Sequence, residues 1–211
     1  MESDKIVILP SYNEIGSLIK ICKELKKRKI NFIVLDDNSN DGTNRWLKKN
    51  KINYIRNRQN LGYEKNIKKG FNYCLKKRGI KYVITFDADG QHKVNDLLSI
   101  YKILNRNHVD LLVCNRKIMN RFSEYLLSFL YDFFHNIKDP LSGLKAYRVN
   151  ILKNFKNNIK DNYFLVDLIS SSLKKNYMVK NYSISTNISK HSRIGKNLCI
   201  NLKILKCLKY L

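Results

Sequence analysis

Hydrophobic and polar positions follow two rhythms along this chain. Short, nearly continuous apolar runs read as buried strands: KIVIL at residues 5–9, FIVLDD at 32–37, YVITFD at 82–87 and DLLVCNR at 110–116, with NYIRN at 53–57 as a shorter one. Between them the apolar residues recur at helical spacing. In SLIKICKELKKRK, Leu18, Ile21, Cys22 and Leu25 share one face and lysines the other. TNRWLKKN predicts a short helix at 43–50. NIKKGFNYCLKKRG places Ile67, Phe71, Cys74 and Leu75 together and is expected to end at Gly79. VNDLLSIYKILNRN predicts a further helix at 94–107. Strand and helix alternating in this way predict an α/β fold, a Rossmann-like, mostly parallel sheet with helices on both faces. After Arg116 the rhythm changes: RFSEYLLSFLYDFFHN is a long aromatic helix, and DPLSGLKAYR a loop followed by a strand. No internal repeat is visible.

Ligands of such sheets bind at the carboxyl ends of the strands, and there the polar clusters fall. The five predicted strands run in turn into PSYNE, DDNSNDGT, NRQNLG, DADGQH and NR.

Composition sharpens the picture. The 211 residues carry 41 Lys+Arg against 17 Asp+Glu, a formal net charge of +24, with 44% hydrophobic residues. That is enough apolar content for one packed domain and excludes a disordered polycation. The charge points to anionic partners such as a nucleotide, a lipid phosphate or a membrane surface. The lysines are spread over most helices and loops, not gathered in one stripe with stacking aromatics, so a nucleic-acid-binding protein is the weakest reading. Five cysteines without metal-like spacing read as free thiols of a cytosolic protein, three of them lying in apolar patterns. MESDKIVIL is expected not to be a signal peptide, and no apolar run reaches the roughly 18 residues of a membrane span.

Against this positive charge, Asp87 and Asp89 stand two apart after an apolar run, with Gln91 and His92 beside them. A turn at Gly90 can aim both carboxylates at one point, where they repel unless a cation intervenes. A hard divalent ion, Mg²⁺ or Mn²⁺, with a nucleoside diphosphate as co-ligand resolves this, and Gln91 can add an oxygen. A plain Asp-capped turn would leave the same pattern. Asp36 and Asp37 can accept hydrogen bonds from a base or ribose, Tyr12 offers a flat surface, and Glu14 is a further partner. Asp41 or Thr43 can cap the following helix. NLGYEKNIKKGF has neither dinucleotide-fold nor Walker glycine spacing. Gly62 can allow a ligand close, and Gly70 close helix packing. The turn around Ser142 and Gly143 can hold a phosphate. The four histidines lack zinc spacing, although His92 can flank the metal site.

Taken in order, ILPSYNE, VLDDNSNDGT, NLGYEKNIKKGF, ITFDADGQH, NR and DPLSGLKAYR resemble the family 2 glycosyltransferases with a GT-A fold. Within that family the chain is most similar to the dolichyl- and polyprenyl-phosphate sugar synthases, over about residues 5 to 196. The resemblance implies a metal-dependent hexosyltransferase using a UDP- or GDP-sugar. Pro10, Tyr12, Glu14 and Asp37 would hold the donor nucleoside. Asp87, Asp89 and Gln91 would hold Mg²⁺ or Mn²⁺ on its diphosphate. Arg116 and Arg121, near Ser142, would bind the acceptor phosphate. Arg193, in HSRIGKN, would close over the pyrophosphate. Asp89 and Arg116 are thus expected to be catalytic. Glu64 and Asn66 stand where relatives often have small residues, and Asn197 where a Ser is usual.

Hydroxyl-acceptor members commonly carry an ED base and a Q-x-x-R-W motif; neither is present. A sugar hydroxyl needs a general base, whereas a lipid phosphate is already anionic. The pattern therefore favours an inverting transfer to a polyprenyl phosphate. The alternative is transfer to a saccharide or protein hydroxyl, with Asp139 as base. Residues 1–196 are expected to form the catalytic domain. Residues 197–211, NLCINLKILKCLKYL, are expected to form a basic amphipathic helix that holds the enzyme peripherally on the cytosolic membrane face.

Overall fold

The computed structural model describes residues 4–106, 108–117, 119, 121–155, 163–184 and 198–211. Strands β1 (Lys5–Ser11), β2 (Phe32–Asp36), β3 (Tyr54–Arg56), β4 (Tyr82–Thr85), β5 (Leu111–Asn115), β6 (Lys145–Arg148) and β7 (Val179–Ser183) form one seven-stranded sheet in the order β3-β2-β1-β4-β6-β5-β7. β6 runs antiparallel between β4 and β5, and the remaining pairings are parallel. The sheet is therefore mostly parallel, as the alternation of elements predicts.

Side chains alternate across the sheet, so each strand feeds two cores. Val7, Leu9, Val34, Ile84, Leu112 and Cys114 face one side, under α1 (Ile15–Lys27), α2 (Thr43–Lys49) and α4 (Val94–Arg106). Ile6, Ile8, Ile33, Leu35, Val83, Leu111 and Val113 face the other, under α3 (Tyr63–Leu75), α5 (Phe122–His135), α6 (Val149–Phe155) and α7 (Phe164–Lys174). Near-continuous apolar runs such as KIVIL arise because both faces are covered. Gly70 lets α3 lie close on the sheet: a Cβ there would stand 2.5 Å from Leu35 Cδ1. Cys22, Cys74, Cys114 and Cys207 are free and buried.

Three stretches of the chain depart from expectation. α3 ends at Leu75, not Gly79, which instead turns the following loop with φ +82°. α6, α7 and β7 follow the aromatic helix, where the sequence had shown only one further strand. The C-terminal segment is no free amphipathic helix. It forms α8 (Leu198–Leu205) and then a 3₁₀ turn at Lys206–Tyr210. Cys207 is fully buried, and Ile204, Leu208, Tyr210 and Leu211 pack on the core beneath α5 and α7. These side chains tie the described residues 198–211 to the core of the domain.

Candidate active site

The carboxyl ends of β1, β2, β3, β4 and β5, with the loop entering the antiparallel β6, converge on one cavity of about 600 Å³. Because β6 is reversed, its first residue and the turn before it reach the same rim as the ends of its parallel neighbours.

The loops on this rim are tied to one another. Asn13 N donates to Ser39 Oγ at 3.0 Å, Asn40 N to Asn13 Oδ1 at 2.8 Å, and Ile15 N to Asp41 Oδ2 at 2.9 Å. Asp41 Oδ1 also accepts from Thr43 N and Oγ1. One aspartate thus serves the start of both α1 and α2, although the cap residue of α2 is Gly42, at φ +90°, and not Asp41 or Thr43. Asp36 is wholly buried; it accepts from Ser39 N and from Arg56, and does not line the cavity. Asp37 does, but its oxygens take Asn57 Nδ2, Leu61 N and Gly62 N at 2.7–2.9 Å. Of about four lone-pair positions one remains for a ligand. Pro10, Tyr12 and Glu14 line the same wall, with Tyr12 43% exposed. Arg193 lies outside the described residues.

Asp87 and Asp89 both face the cavity across the turn at Gly90, whose φ is +83°. Tyr63 Oη donates to Asp87 Oδ1 at 2.7 Å, and His92 Nε2 stands 3.8 Å from Asp87 Oδ2. Gln91 lines the cavity, and its backbone N–H donates to Asp89 Oδ1 at 2.9 Å. Burial would push the Asp87 carboxyl up, but His92, the Tyr63 hydroxyl and the Lys145 ammonium outweigh it and hold Asp87 below its usual range. Burial, and then the adjacent Asp87 charge, push Asp89 above. Gly143 makes room for this pair. A Cβ on it would lie 1.7 Å from Asp87 Oδ2. Gly143→Ala should therefore swing the Asp87 carboxylate aside and weaken Mn²⁺ affinity by about 10–100-fold. Titration of the purified variant with Mn²⁺ checks this; wild-type affinity would refute it.

Residues 6–164 match the family described as glycosyl transferase family 2. This chain belongs to that family. An uncharacterized protein of Methanocaldococcus jannaschii is 32% identical over 189 residues, 81% of this chain and 82% of its own. A UDP-N-acetylglucosamine–dolichyl-phosphate N-acetylglucosaminyltransferase of Methanococcus voltae is 24% identical, with 96% and 94% covered. The fold is that of glucosyl-3-phosphoglycerate synthase from Mycobacterium tuberculosis, crystallised with phosphoglyceric acid: TM-score 0.74, 14% identity, 97% of this chain and 78% of that one. A second crystal of that synthase holds Mn²⁺, UDP and glucosyl-3-phosphoglycerate.

The opposite wall of the glycosyltransferase cavity corrects one expectation. Asp139 is not a free base. It is wholly buried, is absent from the cavity lining, and accepts from Arg116 Nε at 2.8 Å, a second guanidinium nitrogen at 3.1 Å and Arg116 N at 3.1 Å. Its role is to position Arg116. That arginine also lies 3.5 Å from Glu124, which accepts from Arg121 at 2.9 Å. Both arginines reach the cavity, held in place by carboxylates. Ser142 lines it too, with its hydroxyl engaged with the backbone of Leu144.

Reading the chain alone missed Tyr63, Lys145 and the structural use of Glu64 and Asn66. Lys145 is buried on the cavity wall, with Nζ on Ser142 O. Burial pushes its ammonium down to about 8, against the pull of Asp139 and Asp87. A lysine one residue into a strand carries no signal of its own. Glu64 accepts from the backbone of Tyr163, with Phe164 and Leu165 adjacent, at the start of α7. Asn66 donates to Leu35 O and accepts from Asn57.

The cavity wall carries Glu14, Asp37, Glu64, Asp87, Asp89 and Glu124 against Arg116, Arg121 and Lys145. In a chain of +24 the site is the acidic place. Among the described residues no group of three or more His, Cys, Asp or Glu forms a metal cage. The donor set fits an ion held by one or two carboxylates and completed by the ligand's own phosphates, as is usual for Mg²⁺ and Mn²⁺ beside nucleotides.

Proposed function

We propose that this glycosyltransferase moves a sugar from a UDP- or GDP-sugar to a polyprenyl phosphate, with inversion, at the cytosolic face of a membrane. The observation that carries the choice of acceptor is the wall around Arg116. There Asp139 is held by Arg116, Glu124 by both arginines, and Glu64 by the start of α7. A hydroxyl nucleophile needs an unengaged base on that wall; a phosphate oxygen does not. The acceptor oxygen attacks the sugar's C1, the bond from C1 to the diphosphate breaks, and its electron pair leaves with the nucleoside diphosphate. Arg116 and Arg121 orient the attacking phosphate. Asp87 and Asp89, with Gln91 beside them, would hold a Mg²⁺ or Mn²⁺ ion, which when bound supplies Lewis-acid stabilisation of the leaving diphosphate. The Methanococcus relative named for a dolichyl phosphate supports the acceptor class, and the mycobacterial structure with Mn²⁺ and UDP supports the metal and donor class.

The test is transfer of label from a panel of UDP- and GDP-sugars, with Mn²⁺ or Mg²⁺, to a short-chain polyprenyl phosphate. A solvent-extractable, acid-labile product is expected with one donor. Label passing only to phosphoglycerate, saccharide or protein hydroxyls would replace this reading with the hydroxyl-acceptor one.

A further inference from the structure

Helix α5 exposes large aromatic side chains. Phe122, Phe129 and Phe133 are 81%, 66% and 74% exposed, with Tyr125 and Phe134 also open to solvent. At 100° per residue, Phe122, Tyr125, Phe129 and Phe133 fall within an arc of roughly 80° and extend about 16 Å along the axis. The opposite face, with Leu127 and Tyr131, is buried in the core. Within the stripe Phe129 and Phe133 stack with centroids 6.5 Å apart. Such a patch on a charged protein marks an interaction site.

We infer that the α5 stripe is the surface by which the protein docks on an anionic bilayer. Two observations select this occupant. First, the stripe is continuous with the active site: it begins at the residue after Arg121, which lines the cavity. A lipid whose phosphate lies at that arginine leaves the cavity beside Phe122. Second, charge favours a bilayer over a second copy. Lys117 and Lys138 are exposed beyond the two ends of the helix, and Lys206 on the segment packed below it. Asp132 is the exposed acid on α5. Two chains of +24 repel, whereas an anionic surface attracts each. Aromatic side chains favour the headgroup boundary. The inference rests on the lipid-acceptor reading for its orientation, and its test does not depend on transfer.

The test is co-sedimentation of the full chain with vesicles of phosphatidylcholine alone or with one-quarter phosphatidylglycerol, alongside Phe129→Ser/Phe133→Ser. Wild type should bind the anionic vesicles, less in high salt, and the double variant at least tenfold more weakly with an unchanged melting temperature. Phe133→Trp in a Trp46→Phe background should be quenched by lipids brominated on their acyl chains. Equal vesicle binding by the double variant, or an unquenched Trp, overturns the proposal. So does a wild-type dimer that this variant dissolves without any vesicle binding. Vesicle binding without transfer to polyprenyl phosphate would instead refute the acceptor assignment and leave the docking surface standing.

Discussion

Asp89→Asn should reduce sugar transfer by about 100-fold or more while leaving the melting temperature nearly unchanged. The substitution keeps the shape of the side chain and its acceptor oxygen for the N–H of Gln91. It removes the charge, and an amide is a poorer ligand for a hard cation. Desolvation in the cavity and the neighbouring Asp87 charge push the Asp89 carboxyl up, so neutralising it costs the fold little. Metal-dependent turnover and thermal unfolding, measured on both proteins, separate the two effects. Near wild-type turnover would remove Asp89 from the metal site, and a collapse in melting temperature would make it structural.

Arg116→Ala should act first on stability. The guanidinium meets Asp139 through two nitrogens, in a pair whose carboxylate has no exposure. Removing one partner of a buried pair leaves an uncompensated charge and costs about 3–5 kcal/mol. For a chain of this size that is a fall in melting temperature of about 10 °C. Replacing both partners, as in Arg116→Met with Asp139→Leu, should restore much of it, because no buried charge is then left alone. Arg121→Ala should differ. Its partner Glu124 keeps Arg116 at 3.5 Å, so the loss of stability should be smaller than for Arg116→Ala while the acceptor KM rises, a lost charge-assisted contact being worth about 1.5–3 kcal/mol. If Arg116→Ala leaves the melting temperature unchanged and raises only the acceptor KM, the positioning role assigned to Asp139 is wrong.

Local pattern carried the fold class a long way. The runs before PSYNE, DDNSNDGT, DADGQH and NR are strands because both faces of a parallel sheet are buried, which leaves continuous apolar stretches. The helices α1 and α4 are legible because one face of each meets the sheet and the other meets water. The site's acidic centre could be read as well. Asp87, Asp89 and Gln91 are neighbours in sequence, and Gly90 between them permits the turn the chemistry needs.

What lay beyond the sequence depends on contacts between distant residues. That β6 enters the sheet reversed, between β4 and β5, follows from long-range pairing that no local run of residues encodes. This reversal places Gly143 against Asp87 and Lys145 beside both, and so fixes the wall of the cavity around Asp87. Asp139 reads in sequence like any exposed loop carboxylate. It becomes a partner of Arg116 only because the turn ahead of β6 folds beneath the end of β5. The sequence does not state what covers the hydrophobic side of the C-terminal segment or of the aromatic helix. Tertiary packing decided: the C-terminal segment turns Cys207 and Leu208 into the core, and the aromatic face of α5 is left toward solvent because its opposite side already meets the sheet's covering layer.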